Sequence, residues 1–575
     1  MTQVAQRGSG ARQRGRIGRA ALMIGVITVL ARAVGFGRQV VFAHTVGTSC
    51  LGTAYTTANM VPNIIYDIVL GGALSSVVVP VLAGPAYGGL LGGGSAGGGT
   101  AGGGSAGGGT VQGLAKDQVR QISSALLTWT VVLLVPVSVL LAVAARPIVS
   151  AALSGASDCP HGSMVGVGTR MLIMFAPQVL LYGLAVVLYG ILQAHRRFGA
   201  PALAPLLSSL VVVGAYAGFG VIGMRYVNDL GSLPRRPEYL LSGGTTLGVL
   251  ALVLTALVPA WRLQLALRPT LRFPRGVGSR VRKLALAGVL ALIAQDASVA
   301  AVIVLANRFG HSGALVLYGF AWAVFVVPFA VLAVPIATSA FPELSAQAAP
   351  GPGSGGPRSA EFDETAAAST RAVLLASMLG AAALAGARTP LSRVFESHSP
   401  TTAWVLATSL AAFAPGLIGY GLSANLSRVL YALGRNKAPA LAVSAGWLLV
   451  IVADVSIVPF IPRDRVVPAL GLGTTIGLTA AGIALLVLVR RERGTAALAG
   501  MWRAFGAGLA GCVLAAIAGS AVAVAFRVSG FFPNVGVSVL VSAVVTAVFT
   551  LVVVNLDGGD ARAAIRRLRG PGVAR

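Results

Sequence analysis

FAPQVLLYGLAVVLYGILQAHRRFGAPALA at 175–204 returns as FAPGLIGYGLSANLSRVLYALGRNKAPALA at 413–442, at a constant offset of 238, with 15 of 30 positions identical and no gap. Each copy is an apolar helix running into a short basic turn, Arg196–Arg197 or Arg435–Lys437, after which Ala-Pro-Ala-Leu-Ala opens the next helix. A duplicated helix–turn–helix unit in so apolar a chain predicts a membrane protein of two equivalent lobes. Such proteins move a solute between their lobes.

Composition agrees. The 575 residues are 56% hydrophobic and 10% charged, where a soluble chain carries about 25% charge. Apolar runs long enough to span a bilayer, roughly 20 residues each, recur throughout. The expected fold class is therefore an all-α polytopic membrane protein. Fourteen spans are read near 20–44, 53–83, 121–145, 165–193, 201–224, 241–261, 284–307, 313–341, 371–387, 403–431, 439–461, 469–489, 504–526 and 533–556. The repeat copies begin in spans four and ten, six helices apart, so they share one orientation and the duplication is parallel. This gives a basic tail (1–19), an N-lobe (20–261, spans one to six, with a Gly-rich loop at 84–119) and a basic linker (262–283). A C-lobe (284–489, spans seven to twelve), spans thirteen and fourteen (490–556) and a second basic tail (557–575) follow.

A formal charge of +27 would suggest nucleic acid in a soluble protein. Here the basic residues sit mainly in loops and tails on the side of the termini. That is the positive-inside pattern, which places both termini in the cytoplasm of a plasma-membrane protein and calls for no nucleic-acid partner. The linker also suits anionic membrane lipids. The first apolar run lacks a small-residue cleavage site, so no removable signal peptide is expected. Three cysteines make no disulfide or zinc framework. Cys50 and Cys159 fall in loops assigned to one outer side; a single bridge is open to them, and two free thiols are the plainer reading.

Full charges inside spans cost about 2.5–3.5 kcal/mol or more each, so they mark candidate sites. Span one holds Arg32 and Arg38 around Gly35-Phe36-Gly37. The glycines would bend the helix and turn both guanidinium groups toward one cavity; the alternative is snorkelling of Arg38 with Arg32 paired to a neighbour. Span two lines up Asn59, Asn63 and Asp67 on one helix face beside Pro62, a polar stripe suited to a cavity. Asp67 is a possible counter-charge to those arginines in the empty state. Span ten adds Asn425 to the cavity set, and Arg428 as a further cation for a diphosphate. Asp296 in span seven and Asp454 in span eleven, with Thr475, are ion-coupling candidates for Na+ or H+; salt bridging, Asp454 with Arg428, is the equal alternative. No cofactor and no firm metal site are expected. Among sequence motifs there is no phosphate-cradling loop, nucleophile elbow or His/Cys cluster, so the chain reads as a transporter and not an enzyme.

These residues resemble the MurJ (MviN) lipid II flippases of the multidrug/oligosaccharidyl-lipid/polysaccharide exporter superfamily, over spans one to about twelve. The resemblance is carried by Arg32-Ala-Val-Gly-Phe-Gly-Arg38, by Val61-Pro62-Asn63 with Gly72-Ala73-Leu74-Ser75 and Val79-Pro80, and by Arg197-Phe198-x-x-Pro201-Ala202-x-x-Pro205. It implies alternating-access translocation of the undecaprenyl-linked peptidoglycan precursor, driven by membrane potential or an ion gradient. It also implies cationic-cavity roles for Arg32 and Arg38, and a sodium site in the spans of Asp296 and Asp454. The chain departs from the family elsewhere. Family arginines in span two fall at Tyr66 and Asp67, an acidic residue falls at Gly71, and the span-eight arginine is replaced near Ala323. Alternatives are a flippase for another polyprenyl-linked glycan, a drug/cation antiporter of the same superfamily, or a non-transporting scaffold that recruits cell-wall synthesis and division proteins.

Overall fold

Where water is excluded, a chain satisfies its backbone groups internally as helix or as a closed barrel, and these Ala-, Leu- and Val-rich runs take the helical form. The computed structural model describes residues 27, 30–68, 107–155, 158–195, 197–263, 268–273, 277–348, 359–395 and 400–556, and no strand occurs among them. Among the described residues eleven helices are long and apolar enough to cross a membrane, and the pair Thr401–Phe413 and Gly416–Ala432, bent by 43°, gives a twelfth when counted as one span. They stand at the places of spans three to fourteen. Helical residues 30–45 and Cys50–Tyr66 stand at the places of spans one and two. This is a multi-pass membrane protein.

Helix ends differ from the hydropathy boundaries for one reason: charged turns extend a helix beyond its apolar stretch. Span seven begins at Val277 and span nine covers Ser359–Val394, each taking in charged residues that no hydropathy window includes. Both tails, most of the Gly-rich loop and residues 349–358 lie outside the described residues. Part of the basic linker is held in place. The Arg268 and Thr270 N–H groups donate to the Ser124 and Thr128 hydroxyls of span three at 3.1 Å each, and Trp129 Nε1 donates to the Leu271 carbonyl.

Two compact units form: Met1–Val46, Ala54–Ala151 and Gly162–Val289 in the first, Gly47–Thr53, Ala152–His161 and Leu290–Arg575 in the second. Within the first, spans five and six pack most extensively; within the second, spans eleven and twelve, and span nine with thirteen and fourteen, do so. Glycine makes both of the leading interfaces. A Cβ on Gly248 of span six would strike Val212 of span five, and one on Gly477 of span twelve would strike Val450 of span eleven. Val212 and Val450 are 238 apart, so the duplication holds at the level of single contacts.

The second unit includes two short segments from early in the chain. Cys50 and Cys159 are joined there in a disulfide with Cα atoms 5.9 Å apart, which corrects the reading of two free thiols. The sequence left this bridge open, since 109 residues separate the two cysteines. Beside the bridge, Asp158 accepts from the Ser312 N–H at 3.0 Å and from Arg463 at 3.3 Å, with His311 Nδ1 at 3.1 Å. Partial burial alone would raise the Asp158 carboxyl; the Ser312 N–H, His311 and Arg463 outweigh it and hold the group below its ordinary range. Gly313, at φ 84, donates to Thr53 Oγ1 at 2.7 Å and presses on the Thr48 backbone, an approach that a side chain would block.

Candidate substrate and ion sites

In the first unit, residues 30–45 form one helix without interruption at Gly35 or Gly37. The backbone is not unwound there, and at 100° per residue Arg32 and Arg38 fall about 120° apart around a regular helix axis. Arg32 is exposed and Arg38 half-buried. The arginines differ further in company: Arg38 lies within electrostatic reach of Tyr55, Tyr182 and Tyr216. Asn59, Asn63 and Asp67 are half-buried. Asn63 Oδ1 accepts from Tyr182 Oη at 3.2 Å, and the Tyr66 and Tyr182 rings sit 4.3 Å apart. Asp67 makes no ion pair among the described residues, so it is not the counter-charge of either arginine there.

A second polar group lies deeper in the same unit. Tyr55 Oη is 2.8 Å from Tyr216 Oη and 2.7 Å from Thr245 Oγ1, while Thr245 Oγ1 donates to the Leu241 carbonyl at 2.8 Å. Each hydroxyl has one proton, which fixes the order: Tyr216 donates to Tyr55, Tyr55 to Thr245, and Thr245 to the backbone. The Tyr55 ring also meets Phe175 edge-on at 5.5 Å.

The second unit repeats this arrangement with one exchange. Tyr318 lies beside Thr474, whose Oγ1 donates to the Leu470 carbonyl at 2.9 Å, and the Tyr318 ring meets Phe413 at 5.6 Å. Phe413 is 238 residues after Phe175. The residue 238 after Tyr216 is Asp454. It is fully buried, within electrostatic reach of Tyr318, and neither of its oxygens has a hydrogen-bond partner among the described residues. Gly473 lets Asp454 Oδ1 lie directly on the backbone of span twelve. The salt bridge of Asp454 with Arg428 is absent: Arg428 Nη1 donates instead to the Ala424 carbonyl of its own helix, at 2.6 Å.

Three other expected site residues take distinct places. Asn425, expected in a cavity, is fully buried and donates to Thr370 Oγ1 at 3.1 Å, tying span ten to span nine. Thr475 Oγ1 donates to the Ala412 carbonyl at 2.6 Å, beside the break at Ala414-Pro415. In the first unit Thr246 Oγ1 donates to the Met174 carbonyl at 2.8 Å, beside the break at Ala176-Pro177. Met174 and Ala412 are again 238 apart, so Thr475 performs a scaffold task common to both halves. Asp296 is buried in span seven. Arg428 and Arg38 belong to different units.

Sequence reasoning named Thr474 as a possible neighbour of the intramembrane acids but missed Thr245 and the tyrosines, although a signal for Thr245 existed. Gly244-Thr245-Thr246-Leu247-Gly248 recurs as Gly473-Thr474-Thr475-Ile476-Gly477. It also missed Arg170, whose Nε and Nη2 donate at 2.7 Å each to the two oxygens of the fully buried Glu238.

The family model described as "Lipid II flippase MurJ" matches residues 42–546. The chain is 26% identical over 510 residues to "Lipid II flippase MurJ" of Burkholderia cenocepacia, covering 86% of this chain and 88% of that one. Among solved structures, "Lipid II flippase MurJ, inward closed conformation" superposes with a TM-score of 0.66 at 16% identity, over 92% of this chain and 98% of that one. An inward-facing multidrug resistance MATE family transporter of the MOP superfamily gives a TM-score of 0.59 at 11% identity, over 82% and 98%; at such identities these two likenesses show a shared fold. With the family model running from the end of span one into span fourteen, and the duplicated interior fitting that fold, this chain belongs to the MurJ family of lipid II flippases.

Proposed function

We propose that the protein carries lipid II, the polyprenyl-diphosphate-linked peptidoglycan precursor, across the cytoplasmic membrane by alternating access, with both termini in the cytoplasm. Arg38 is the observation that carries this reading. It is a half-buried guanidinium inside a span, and no carboxylate pairs with it among the described residues. A cation placed there is costly, and bidentate hydrogen bonding to phosphate oxygens compensates for it. Exposed Arg32 supplies a second cation on the same helix, and Arg428 is a third in the other unit.

Asp454 supports coupling to an ion gradient. Two orphaned carboxylate oxygens in a dry interior suit either a proton or a hard cation such as Na+. The basic linker, with Arg268 and Arg272 exposed, suits anionic headgroups of the inner leaflet, and proteins of cell-wall synthesis and division are the natural partners of this activity. Replacing Arg38 tests the central claim. Arg38→Ala should abolish growth of cells depleted of their own flippase while the variant still reaches the membrane; normal growth would reject diphosphate binding by Arg38.

A further inference from the structure

We infer that Tyr66, Tyr182 and Tyr189, with Asn63 and Asp67, form a subsite for the sugar moiety of the substrate, next to Arg38. The inference rests on the flippase reading and gives the glycan a place within it. Tyr66 and Tyr182 are ring neighbours at 4.3 Å and 46°, and the bond from Tyr182 to Asn63 sets an amide beside them. Tyr189 follows Tyr182 by seven residues and so lies on the same helix face. Its hydroxyl donates to the Leu252 carbonyl at 3.4 Å, and it is within electrostatic reach of Tyr66. All five side chains are half-buried. Asp67 has no hydrogen bond and no ion pair among the described residues and is partly exposed, so its oxygens are open to a hydroxyl donor.

Partly exposed aromatic rings flanked by an amide and a carboxylate match the two surfaces of a pyranose. The C–H face of the sugar packs on a ring, and its hydroxyl rim bonds the polar side chains. The duplicated half provides a contrast. Tyr420, 238 residues after Tyr182, stacks on Phe329 at 3.9 Å and on Phe325 at 6.1 Å. It is spent on an aromatic wall, and the counterpart of Tyr189 is Ser427.

The test uses the purified full-length protein in detergent and two probes, lipid II and undecaprenyl diphosphate, which lacks the sugar. Tyr182→Ala should weaken lipid II binding about tenfold and change binding of the bare diphosphate by less than about twofold. Tyr66→Ala repeats the measurement from another helix, and Tyr182→Phe, which keeps the ring and loses the Asn63 bond, should fall between wild type and Tyr182→Ala. Tyr420→Ala, a packing control, should leave the ratio of the two affinities unchanged. Equal weakening of both lipids by the Tyr66 and Tyr182 variants, or no weakening of either, overturns the subsite. Wild-type protein that binds neither lipid would instead overturn the flippase reading on which the subsite depends, an outcome told apart by requiring no variant.

Discussion

At position 216 of the first unit a tyrosine hydroxyl completes a chain of hydrogen bonds, and at the matching position 454 of the second a carboxylate leaves one incomplete. The surroundings are otherwise alike. Phe175, Tyr55 and Thr245 on one side answer to Phe413, Tyr318 and Thr474 on the other, and both groups end on a leucine carbonyl of the same helix. Such a hydroxyl triad is a structural element, because every proton in it has an acceptor. Exchanging its first hydroxyl for a carboxylate creates buried acceptors that only an added proton or cation can satisfy. The two copies thus differ at one buried position, a hydroxyl at 216 in the first and a carboxylate at 454 in the second.

The comparison can be broken most directly at its centre. Asp454→Asn should abolish the dependence of lipid II transport on sodium or proton gradients, whereas Tyr216→Phe should keep that dependence and cost about 1 kcal/mol of stability. Transport by reconstituted protein under imposed gradients distinguishes them. Equal sensitivity of the two variants, or an Asp454→Asn protein still responsive to both gradients, would end the distinction.

A second contrast concerns the ion pair of the first unit. Arg170 and Glu238 correspond to Thr408 and Val467 of the second unit, where no charge is present. Glu238→Gln should destabilise the protein by about 3–5 kcal/mol, since it leaves Arg170 partly buried without its partner. The double variant Arg170→Thr, Glu238→Val copies the second unit and should recover most of that loss, as measured by thermal unfolding in detergent. A double variant no more stable than Glu238→Gln would show that the pair does more than satisfy itself.

The smallest effect sharpens the role of the paired threonines. Thr246→Val and Thr475→Val each remove one side-chain bond to a carbonyl beside a proline break and should cost about 1 kcal/mol apiece. Both should leave ion dependence intact. A change in ion dependence with Thr475→Val alone would return that residue to the ion site.

Much of this was readable in the chain before any coordinates. The repeat at 175–204 and 413–442 was plain because close helix packing tolerates few residue types at its contact points, which preserves identity between copies. The match of spans six and twelve was present too, in Gly-Thr-Thr-x-Gly, but it lies at an offset of 229 and escapes a search at 238. Asp454 stood out as a charge in a hydrophobic run. Asn425 stood out equally and proved to be a buried tie, since a polar residue in a span signals only that some partner exists. Tyr182 and Tyr189 gave no signal, because tyrosine is ordinary in membrane helices, and Tyr66 stood out only as the replacement of a family arginine.

The amino-acid sequence by itself determined that this protein spans the membrane many times, that its halves are copies, and that charges are buried where they cost energy. Hydropathy and repetition are local properties and survive in one dimension. Only the tertiary structure decided that Cys50 meets Cys159, that Arg38 keeps company with tyrosines, and that Asp454 occupies the place of a hydroxyl. Those outcomes depend on distances between helices far apart in the chain, and the direction in which each hydroxyl spends its single proton depends on which acceptor packing brings within reach.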